Sequence, residues 1–450
     1  MTVVQVEEIM VKSKFTKFHR WLLFWGMFLM AFEGYDLVVF GTVVPRLMED
    51  WSLSSVTAGS LSSYGLVGMM IGAITFGIMA DRIGRKKVII ISSLLFSIFT
   101  GLCGFAPDPT WFAVARILAG IGLGGMMPNV IALITDYAPG KKRAILVAIL
   151  MCGYSLGGIL APVLGMTIMP EFGWESVFWV AFLPILVIPF VMKQLPESPS
   201  YLLRSGKKQE FANILNKMHD NKEFHAGQDF QMHENKIQKQ GPADLFKNNL
   251  ALSTILFWII FFCCLLMIFG LNTWLPNLMI AAGYGLTSSL AFLIALQSGS
   301  IIGSLIFGTL ADRYGFKRVL VPLAISGAIA LTLLGLGGNH VWIFFLVMVA
   351  GAASIGSQNM AQAYVSNYYP AAIRSTALGM ASGFGRIGGM IGPLMGGVLL
   401  GMTLPNVMNF VAFAIPGLIV AIALACIPKR KVTIGEVRPP EEQTEETVSQ

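Results

Sequence analysis

The chain has 450 residues, of which 55% are hydrophobic and only 12% are charged, about half the charged share of a soluble globular domain. Apolar runs of 18 or more residues recur along its whole length, which excludes a soluble fold and predicts an all-α membrane protein. The formal net charge is +7, but the basic residues are concentrated in loops between the apolar runs. Membrane topology therefore accounts for the charge, and we expect no nucleic-acid partner.

Twelve apolar runs are long enough to cross a bilayer, and turn signals such as Pro45 separate them. The first run is too long for the apolar core of a signal peptide, so we interpret it as the first span. The spans are expected at about residues 21–44, 55–79, 88–106, 111–135, 143–166, 174–193, 249–272, 286–310, 319–337, 341–366, 373–401 and 405–427.

A polar segment at residues 194–248 separates six spans from six others. This arrangement predicts two six-helix bundles, at 21–193 and 249–427, joined by a linker with short amphipathic helices. Tails at 1–20 and 428–450 flank the bundles, and the acidic composition of the second tail predicts disorder.

The 31 Lys and Arg residues are divided unevenly between the two sides of the predicted spans. Arg46 alone falls in a loop on the side opposite the N-terminus, Arg116 and Arg386 fall inside spans, and the other 28 lie on the N-terminal side. The positive-inside rule then places both termini and the linker in the cytoplasm. An even number of spans agrees with this topology.

A charged segment after the second span, Gly77–Lys87, recurs after the eighth span as Gly308–Arg318, about half the chain length later. Such a repeat predicts two halves built on one plan. We expect its glycines to let helices approach closely and its charges to form a latch that is made in one conformation and broken in another. The alternative is a basic turn that only fixes topology. The latch candidates are Gly77, Asp81, Arg82, Gly84, Arg85, Lys86, Asp312, Arg313, Gly315 and Arg318.

These repeated segments resemble the signature of the major facilitator superfamily, and the resemblance covers about residues 20–428. Arg116–Gly125 in the fourth span is similar to the Arg/Gly motif of that superfamily. Gly153–Pro162 in the fifth span resembles its Gly/Pro motif only loosely, and the departure from the drug-antiporter form disfavours export. Pro196–Pro199 after the sixth span is shared by several branches and does not discriminate. The resemblance implies a secondary transporter that works by alternating access.

Carboxylates inside the first span are candidates for proton coupling. Glu33 and Asp36 are three residues apart on one helical face, and Gly34 between them permits close helix approach or local unwinding. The alternative is that they lie solvated at the periplasmic mouth. Arg116 can pair with either acid, whereas Asp136 belongs either to a gate or only to a helix end.

Arg386 in the eleventh span is surrounded by glycines, and no acidic residue lies elsewhere in the spans of the second half. A guanidinium group without a partner in its own half is a candidate for binding a substrate carboxylate. The alternative is a structural Arg that reaches backbone carbonyls or the first half. The polar and aromatic candidates for the pocket wall are Tyr35, Tyr64, Tyr154, Asn272, Trp274, Gln297, Asn359 and Gln362.

Three segments, Glu33–Asp36, Gly270–Pro276 and Gly383–Gly389, resemble motifs of the aromatic acid:proton symporter family within the superfamily. In that family the acids of the first span are implicated in transport and the Arg of the eleventh span in acid recognition. Carried over, this implicates Glu33, Asp36 and Arg386 here, with Arg116 and Asp136 as supporting residues for proton coupling. The family usually has Asp where this chain has Glu33. The resemblance implies import of a benzoate-like or hydroxybenzoate-like anion with protons. Nicotinate, another organic anion and a neutral sugar-like solute remain open as alternatives.

Other classes of function find little support in the sequence. No nucleophile–base pair, phosphate loop or metal-type spacing is visible, and the five cysteines all lie in apolar runs, so we expect no enzyme, metal or cofactor. The linker and tail are too short and polar for a sensor module. We expect a monomer in the plasma membrane whose partners are the bilayer, an aromatic acid and protons.

Overall fold

The computed structural model describes residues 3–6, 9–10, 13–218, 224–225, 227–231, 242–247, 249–402 and 404–428. The predicted tail at 428–450 lies outside these residues except for Pro428. Twelve helices in the described part are long and apolar enough to cross a membrane. They are α1 (Lys17–Asp50), α2 (Ser55–Ile83), α3 (Arg85–Cys103), α4 (Pro109–Tyr137), α5 (Arg143–Thr167), α6 (Glu175–Gln194), α7 (Ala251–Ala281), α8 (Leu286–Tyr314), α9 (Phe316–Leu334), α10 (His340–Tyr368), α11 (Ala371–Gly401) and α12 (Asn406–Cys426).

These helices form two six-helix bundles, as the sequence predicts. Two of them contain a local change of winding: α6 has a 3-10 turn at Val180–Phe182, and α10 has a π turn at Ala352–Gly356. Polar caps start several helices; Asp108 Oδ1 accepts hydrogen bonds from the first turn of α4, and Asn339 Oδ1 does so for α10. Such caps satisfy backbone N–H groups that have no partner within the helix.

Short elements accompany the spans. They are the helices Met169–Phe172, Pro199–Arg204 and Lys208–Met218, the 3-10 turns Gly140–Lys142 and Pro242–Phe246, and two strands, β1 (Val3–Gln5) and β2 (Asp229–Gln231). The strands pair in parallel and connect the N-terminal tail to the linker. The all-α prediction did not include these strands. Three residues in each strand are too few to show an alternating pattern.

The helix Lys208–Met218 in the linker is amphipathic. Its buried residues Phe211, Ile214, Leu215 and Met218 recur at the spacing of one helical face. That face joins an apolar cluster with Leu22 at the start of α1. The linker helix therefore packs against the first half of the chain.

Three predicted boundaries were wrong. The largest difference is at α7, which was expected to end at about residue 272 but continues through Pro276 to Ala281. Pro45 was taken as a turn signal, but α1 continues through it to Asp50, because a membrane helix can satisfy the freed carbonyl through neighbouring groups. Residues 80–83 were predicted to lie in the charged turn after the second span, but they are the last residues of α2, and the turn is reduced to Gly84. Gly84 has φ +98° and its counterpart Gly315 has φ +93°. This left-handed conformation favours glycine, which explains why both repeats carry it.

The two halves touch along only part of their length. We call the end of the bundles that carries the linker and the turns at Gly84 and Gly315 the basic end. Near the opposite end, a Cβ on Gly59 of α2 would lie 2.6 Å from the carbonyl oxygen of Pro393 on α11, and a Cβ on Gly41 of α1 would lie 1.8 Å from the carbonyl oxygen of Asn272. Glycine thus allows the helices of the two halves to meet backbone to backbone.

Toward the basic end the contact between the halves stops. The hydrogen bonds Arg386–Met69 and Ser155–Ser300 join the halves near the middle of their helices, and no described hydrogen bond or ion pair joins the halves at the turns of the basic end. A Cβ on Gly77 of α2 or on Gly379 of α11 would meet nothing within 4 Å. The protein is therefore closed at the opposite end and open between the halves at the basic end.

Candidate functional site

A buried ion pair lies inside the first bundle. Arg116 Nη1 on α4 donates a 2.8 Å hydrogen bond to Asp36 Oδ1 on α1, and Thr100 Oγ1 on α3 donates to the same oxygen at 2.9 Å. Arg116 is 6% exposed and Asp36 is 3% exposed. Of the two acids left open by the sequence, Asp36 is the partner of Arg116. Thr100 was not predicted, since a threonine in an apolar span carries no distinguishing signal.

Glu33 lies one turn away on the same face of α1 and is buried without a partner. No hydrogen bond to its carboxylate occurs among the described residues, and its Oε2 is a buried acceptor without a donor. The charges that act on it are those of Arg386 of the second half, which attracts it, and Asp36, which repels it. Glu33 is therefore the ionisable group of this site that lacks compensation by hydrogen bonding.

The acids and Arg116 line one small cavity. Its volume is about 20 Å³, and Tyr154 of α5 and Phe269 of α7 complete the wall. This space holds about one water molecule and no aromatic ring. In this conformation the cavity can serve the exchange of a proton, but it is closed to an organic substrate.

A glycine explains how α1 comes so close to its neighbour. A Cβ on Gly34, between the two acids, would lie 1.7 Å from the carbonyl oxygen of Tyr154 on α5. Because α1 is continuous here, Gly34 permits close helix approach and not unwinding. The absence of a side chain thus lets α5 cover the acids and keeps water away from them.

Arg386 of α11 lies at the interface between the halves. Its Nη1 donates a 2.8 Å hydrogen bond to the carbonyl oxygen of Met69 on α2, while the side chain remains partly exposed. Its charge interacts with that of Glu33, and no acidic side chain in the described chain forms an ion pair with it. Arg386 thus reaches the first half, as the structural alternative required, and its other N–H groups donate to no described residue.

Two predicted pocket residues meet at the interface. Gln297 Nε2 of α8 donates to Asn272 Oδ1 of α7 at 3.0 Å, and Asn272 Nδ2 donates to the carbonyl oxygen of Ile268 at 2.7 Å. A Cβ on Gly158 of α5 would lie 2.8 Å from the Gln297 amide. The amide pair therefore packs against the first half.

Other predicted pocket residues do not line this cavity. Tyr64 is 41% exposed on the outside of α2, because Ser62, Ser63 and Gly65 occupy the inner face of that helix. Tyr35 is next to Asp36 in sequence but about 100° round the helix, where its hydroxyl donates to the carbonyl oxygen of Val177.

Three further candidates are placed by packing. Trp274 is fully buried and donates to the carbonyl oxygen of Pro393 at 2.7 Å. Asn359 Nδ2 donates to Ser304 Oγ at 3.2 Å within the second half. Gln362 is half-buried farther toward the basic end of α10. None of the three borders the cavity around Glu33.

At the basic end of the first half, the charged repeat makes contacts within its own bundle. Arg85 forms an ion pair with Asp136 at the end of α4, so Asp136 belongs to this end and not to the buried acids. The Glu197 carboxylate accepts hydrogen bonds from the backbone N–H of Lys86 at 3.0 Å and of Ser198 at 2.9 Å. Asp81 is exposed and takes part in none of the described ion pairs. Glu197 lies in a motif that the sequence could not assign to any role.

The second charged repeat makes fewer contacts. Lys317 Nζ donates to the carbonyl oxygen of Ile427 at 3.0 Å, and the Arg313 guanidinium lies 5.4 Å from the ring centroid of Tyr314. Asp312 and Arg318 enter none of the described ion pairs. An ion-paired latch is not formed in this half in the present conformation.

Gly77 and Gly308 are not at a close helix contact in this conformation. A Cβ on either residue would meet nothing within 4 Å. Both residues lie where the halves have separated, so no helix is near enough to need a glycine.

Hydroxyl groups across the interface were also missed. Ser62 and Thr273 share a 2.9 Å hydrogen bond between α2 and α7, and Ser63 donates to the carbonyl oxygen of Met390 at 2.7 Å. Small hydroxyl residues beside glycines in a span are the available signal for such contacts.

Comparison with known proteins decides the family. The sequence model of the Major Facilitator Superfamily matches residues 26–298 and again residues 288–449. The benzoate transport protein of Acinetobacter baylyi is 41% identical over 436 residues, covering 95% of this chain and 94% of that protein. The chain belongs to the aromatic acid transporters of the major facilitator superfamily. It is a transporter and not an enzyme.

Two further similarities agree with this assignment. The gentisate transporter of Corynebacterium glutamicum is 36% identical over 412 residues, covering 91% of this chain and 87% of that protein. Among solved structures, the partially occluded inward open conformation of the xylose transporter XylE from E. coli superposes with a TM-score of 0.73 at 19% identity. That match covers 92% of this chain and 98% of XylE, and it supports the major facilitator fold.

Proposed function

We propose that this transporter imports a small benzoate-like or hydroxybenzoate-like anion together with protons by alternating access. The observation that carries the proposal is Glu33, a buried carboxylate without a hydrogen-bond donor, one helical turn from the Asp36–Arg116 ion pair. The similarity to a benzoate transport protein and a gentisate transporter supports the choice of substrate class. The basic end is proposed to be cytoplasmic because it carries most of the Lys and Arg residues. The present structure is then open to the cytoplasm.

The proton step is assigned to Glu33 and Asp36. An ionised carboxylate away from water is unfavourable unless it is paired or hydrogen-bonded. Asp36 has that compensation from Arg116 and Thr100, whereas Glu33 has only the charge of Arg386 across the interface. Addition of a proton removes the uncompensated charge at Glu33, so we assign the coupled proton to Glu33 first and to Asp36 only when its ion pair opens.

The substrate step is assigned to Arg386. Its guanidinium group has donors beyond the one used by Met69, and a carboxylate can accept two parallel hydrogen bonds from such a group. A proton on Glu33 removes the anion that competes for Arg386. Loading of the proton and binding of the aromatic acid are therefore linked through one side chain.

Substrate entry requires movement of the halves. The closed cavity of about 20 Å³ is too small for an aromatic ring. We propose that the ring binds on the open, basic-end side of Arg386 in this conformation. The ring reaches Arg386 from the opposite end of the protein when the contacts near Gly59 and Gly41 separate.

The test is uptake of radiolabelled benzoate into proteoliposomes under an imposed inward proton gradient. Unlabelled 4-hydroxybenzoate, gentisate, nicotinate and glucose serve as competitors, and Glu33→Gln serves as the matched variant. Gradient-driven uptake that aromatic acids block, and that Glu33→Gln abolishes while benzoate exchange continues, is the expected result. Uptake that does not depend on the proton gradient, or competition by glucose alone, would overturn the proposal.

A further inference from the structure

A second cavity lies at the basic end on the outside of the first bundle. It measures about 600 Å³, thirty times the volume of the cavity at Glu33. The starts of α1 and α3, the end of α6 and the linker helix Lys208–Met218 form its walls. It is distant from the buried acids and has no part in the transport step assigned above.

Four lysines give this cavity its chemistry. Lys17, Lys86, Lys193 and Lys217 line it, and none of them enters an ion pair among the described residues. The acidic residue of the wall, Glu210, lies 3.7 Å from Lys207. The positive charge therefore exceeds the negative charge on the lining, and the cavity fits an anion.

The balance of charge on the lining supports an anionic occupant. The ammonium group of Lys86 is attracted by the carboxylates of Glu210 and Glu197 and, to a smaller extent, repelled by the ammonium groups of Lys207 and Lys217. Four basic side chains from four separate elements are held around one space with a single carboxylate among them. An occupant that carries a phosphate group would compensate these charges.

An aromatic wall indicates which source of phosphate fits. Phe18 and Trp21 of α1 line the cavity beside the lysines. Trp21 is 44% exposed and packs edge to face on Phe24, which is 51% exposed. Exposed aromatic residues in the first turns of a spanning helix are typical of the membrane–water interface. The cavity thus opens where lipid headgroups lie and offers apolar surface to an acyl chain.

We propose that this cavity binds the phosphate-bearing headgroup of an anionic phospholipid of the cytoplasmic leaflet, with an acyl chain against Trp21. Lys17, Lys193 and Lys217 contact the phosphate. The bound lipid joins the linker helix to the start of α1, the helix that carries Glu33 and Asp36 further along. The proposal depends on the orientation argued above but not on the identity of the transported acid.

The test measures lipid binding to the full-length protein in detergent by native mass spectrometry. Phosphatidylglycerol and phosphatidylethanolamine are the two probes, and the variant Lys17→Gln/Lys193→Gln/Lys217→Gln is compared with the matched control Lys14→Gln/Lys87→Gln/Lys247→Gln. The control removes three basic residues that lie outside the cavity lining. We expect the wild type and the control to retain phosphatidylglycerol selectively, and the cavity variant to bind it at least roughly tenfold more weakly.

Three results would overturn the proposal. The first is equal retention of the two lipids by the wild type, and the second is an unchanged affinity of the cavity variant for phosphatidylglycerol. The third is displacement of the lipid by inorganic phosphate that then binds alone, which would indicate a site for a free anion. Because the triple variant can lose stability, the single variant Lys193→Glu at an exposed position provides a second measurement. It is expected to weaken phosphatidylglycerol binding and to leave phosphatidylethanolamine binding unchanged.

Discussion

Replacement of Asp36 by Asn is the most informative perturbation of the site. The substitution keeps the shape of the side chain and an oxygen that can accept the hydrogen bond from Thr100. It removes the negative charge that the Arg116 guanidinium contacts at 2.8 Å. Arg116 then remains buried with a positive charge, and its Nε already has no partner among the described residues.

The expected magnitude follows from burial. Arg116 and Asp36 are each more than nine-tenths buried, so water cannot take the place of the lost partner. Removal of one member of a buried ion pair destabilises a protein by about 3–5 kcal/mol, whereas replacement of both members by neutral groups is often close to neutral. Asp36→Asn should therefore be strongly destabilised, and Asp36→Asn/Arg116→Gln should recover most of the loss.

Two measurements on each variant separate stability from coupling. Thermal unfolding in detergent reports stability, and gradient-driven benzoate uptake in proteoliposomes reports coupling. Asp50→Asn is the control, since Asp50 ends the same helix but is exposed and lies outside every described ion pair. We expect wild-type values for the control, a lowered unfolding temperature for Asp36→Asn, and a restored unfolding temperature without proton-driven uptake for the double variant.

The reasoning can fail at either step. An unfolding temperature of Asp36→Asn equal to that of the wild type would show that the ion pair does not stabilise the buried Arg116. Accumulation of benzoate by the double variant at the wild-type rate, driven by the proton gradient, would remove Asp36 and Arg116 from the coupling mechanism.

Four further predictions concern other residues. Gly34→Ala places a Cβ 1.7 Å from a backbone carbonyl oxygen, so it should lower the unfolding temperature by overpacking, which costs about 1–3 kcal/mol. Gly308→Ala, which meets nothing within 4 Å, should raise it through a helix propensity gain of about 1 kcal/mol. Arg386→Gln should raise the KM for benzoate roughly tenfold or more, because a hydrogen bond to a charged group contributes about 1.5–3 kcal/mol, and Arg386→Lys should restore this only in part. Arg85→Gln, which breaks the half-buried ion pair with Asp136, should change the transport rate and leave benzoate affinity unchanged, as measured by uptake and equilibrium binding.

Each of these has an outcome that contradicts it. Equal unfolding temperatures of Gly34→Ala and Gly308→Ala would mean that the helices at Gly34 can move apart for a Cβ without a loss of stability. An unchanged KM in Arg386→Gln, together with a lowered unfolding temperature, would reduce that residue to its hydrogen bond with Met69. A change of benzoate affinity in Arg85→Gln would mean that this ion pair also affects the binding site and not only the basic end.

The charged groups of the site are divided unevenly between the two halves. Of the four charged residues assigned to the site, Glu33, Asp36 and Arg116 lie in the first bundle and Arg386 lies in the second. The electrostatic contact between Glu33 and Arg386 crosses the interface that opens and closes. A change of charge on Glu33 is therefore also a change in the attraction between the halves, which links proton binding to conformation.

The sequence by itself determined the fold class and the candidate charges. Length and uninterrupted apolarity define membrane spans without reference to partners, since a helix in lipid satisfies its own backbone. An ionisable residue in such a run stands out for the same reason, so Glu33, Asp36, Arg116 and Arg386 were found before any contact was known. The glycines at 84 and 315 were noted as a repeat, although their shared property is a left-handed backbone and not close approach.

Only the tertiary structure decided which of these groups meet. Whether Arg116 faces Glu33 or Asp36 depends on how α4 is rotated against α1, and a rotation of one residue moves a side chain by about 100°. The rotation of α2 turns Tyr64 outward, and the rotation of α1 places Tyr35 against α6. Contacts between residues far apart in the chain, such as Arg386 with Met69, depend on the packing of the two bundles and on which end is closed. Local sequence pattern does not encode that choice, because both conformations of an alternating-access transporter are built from the same helices.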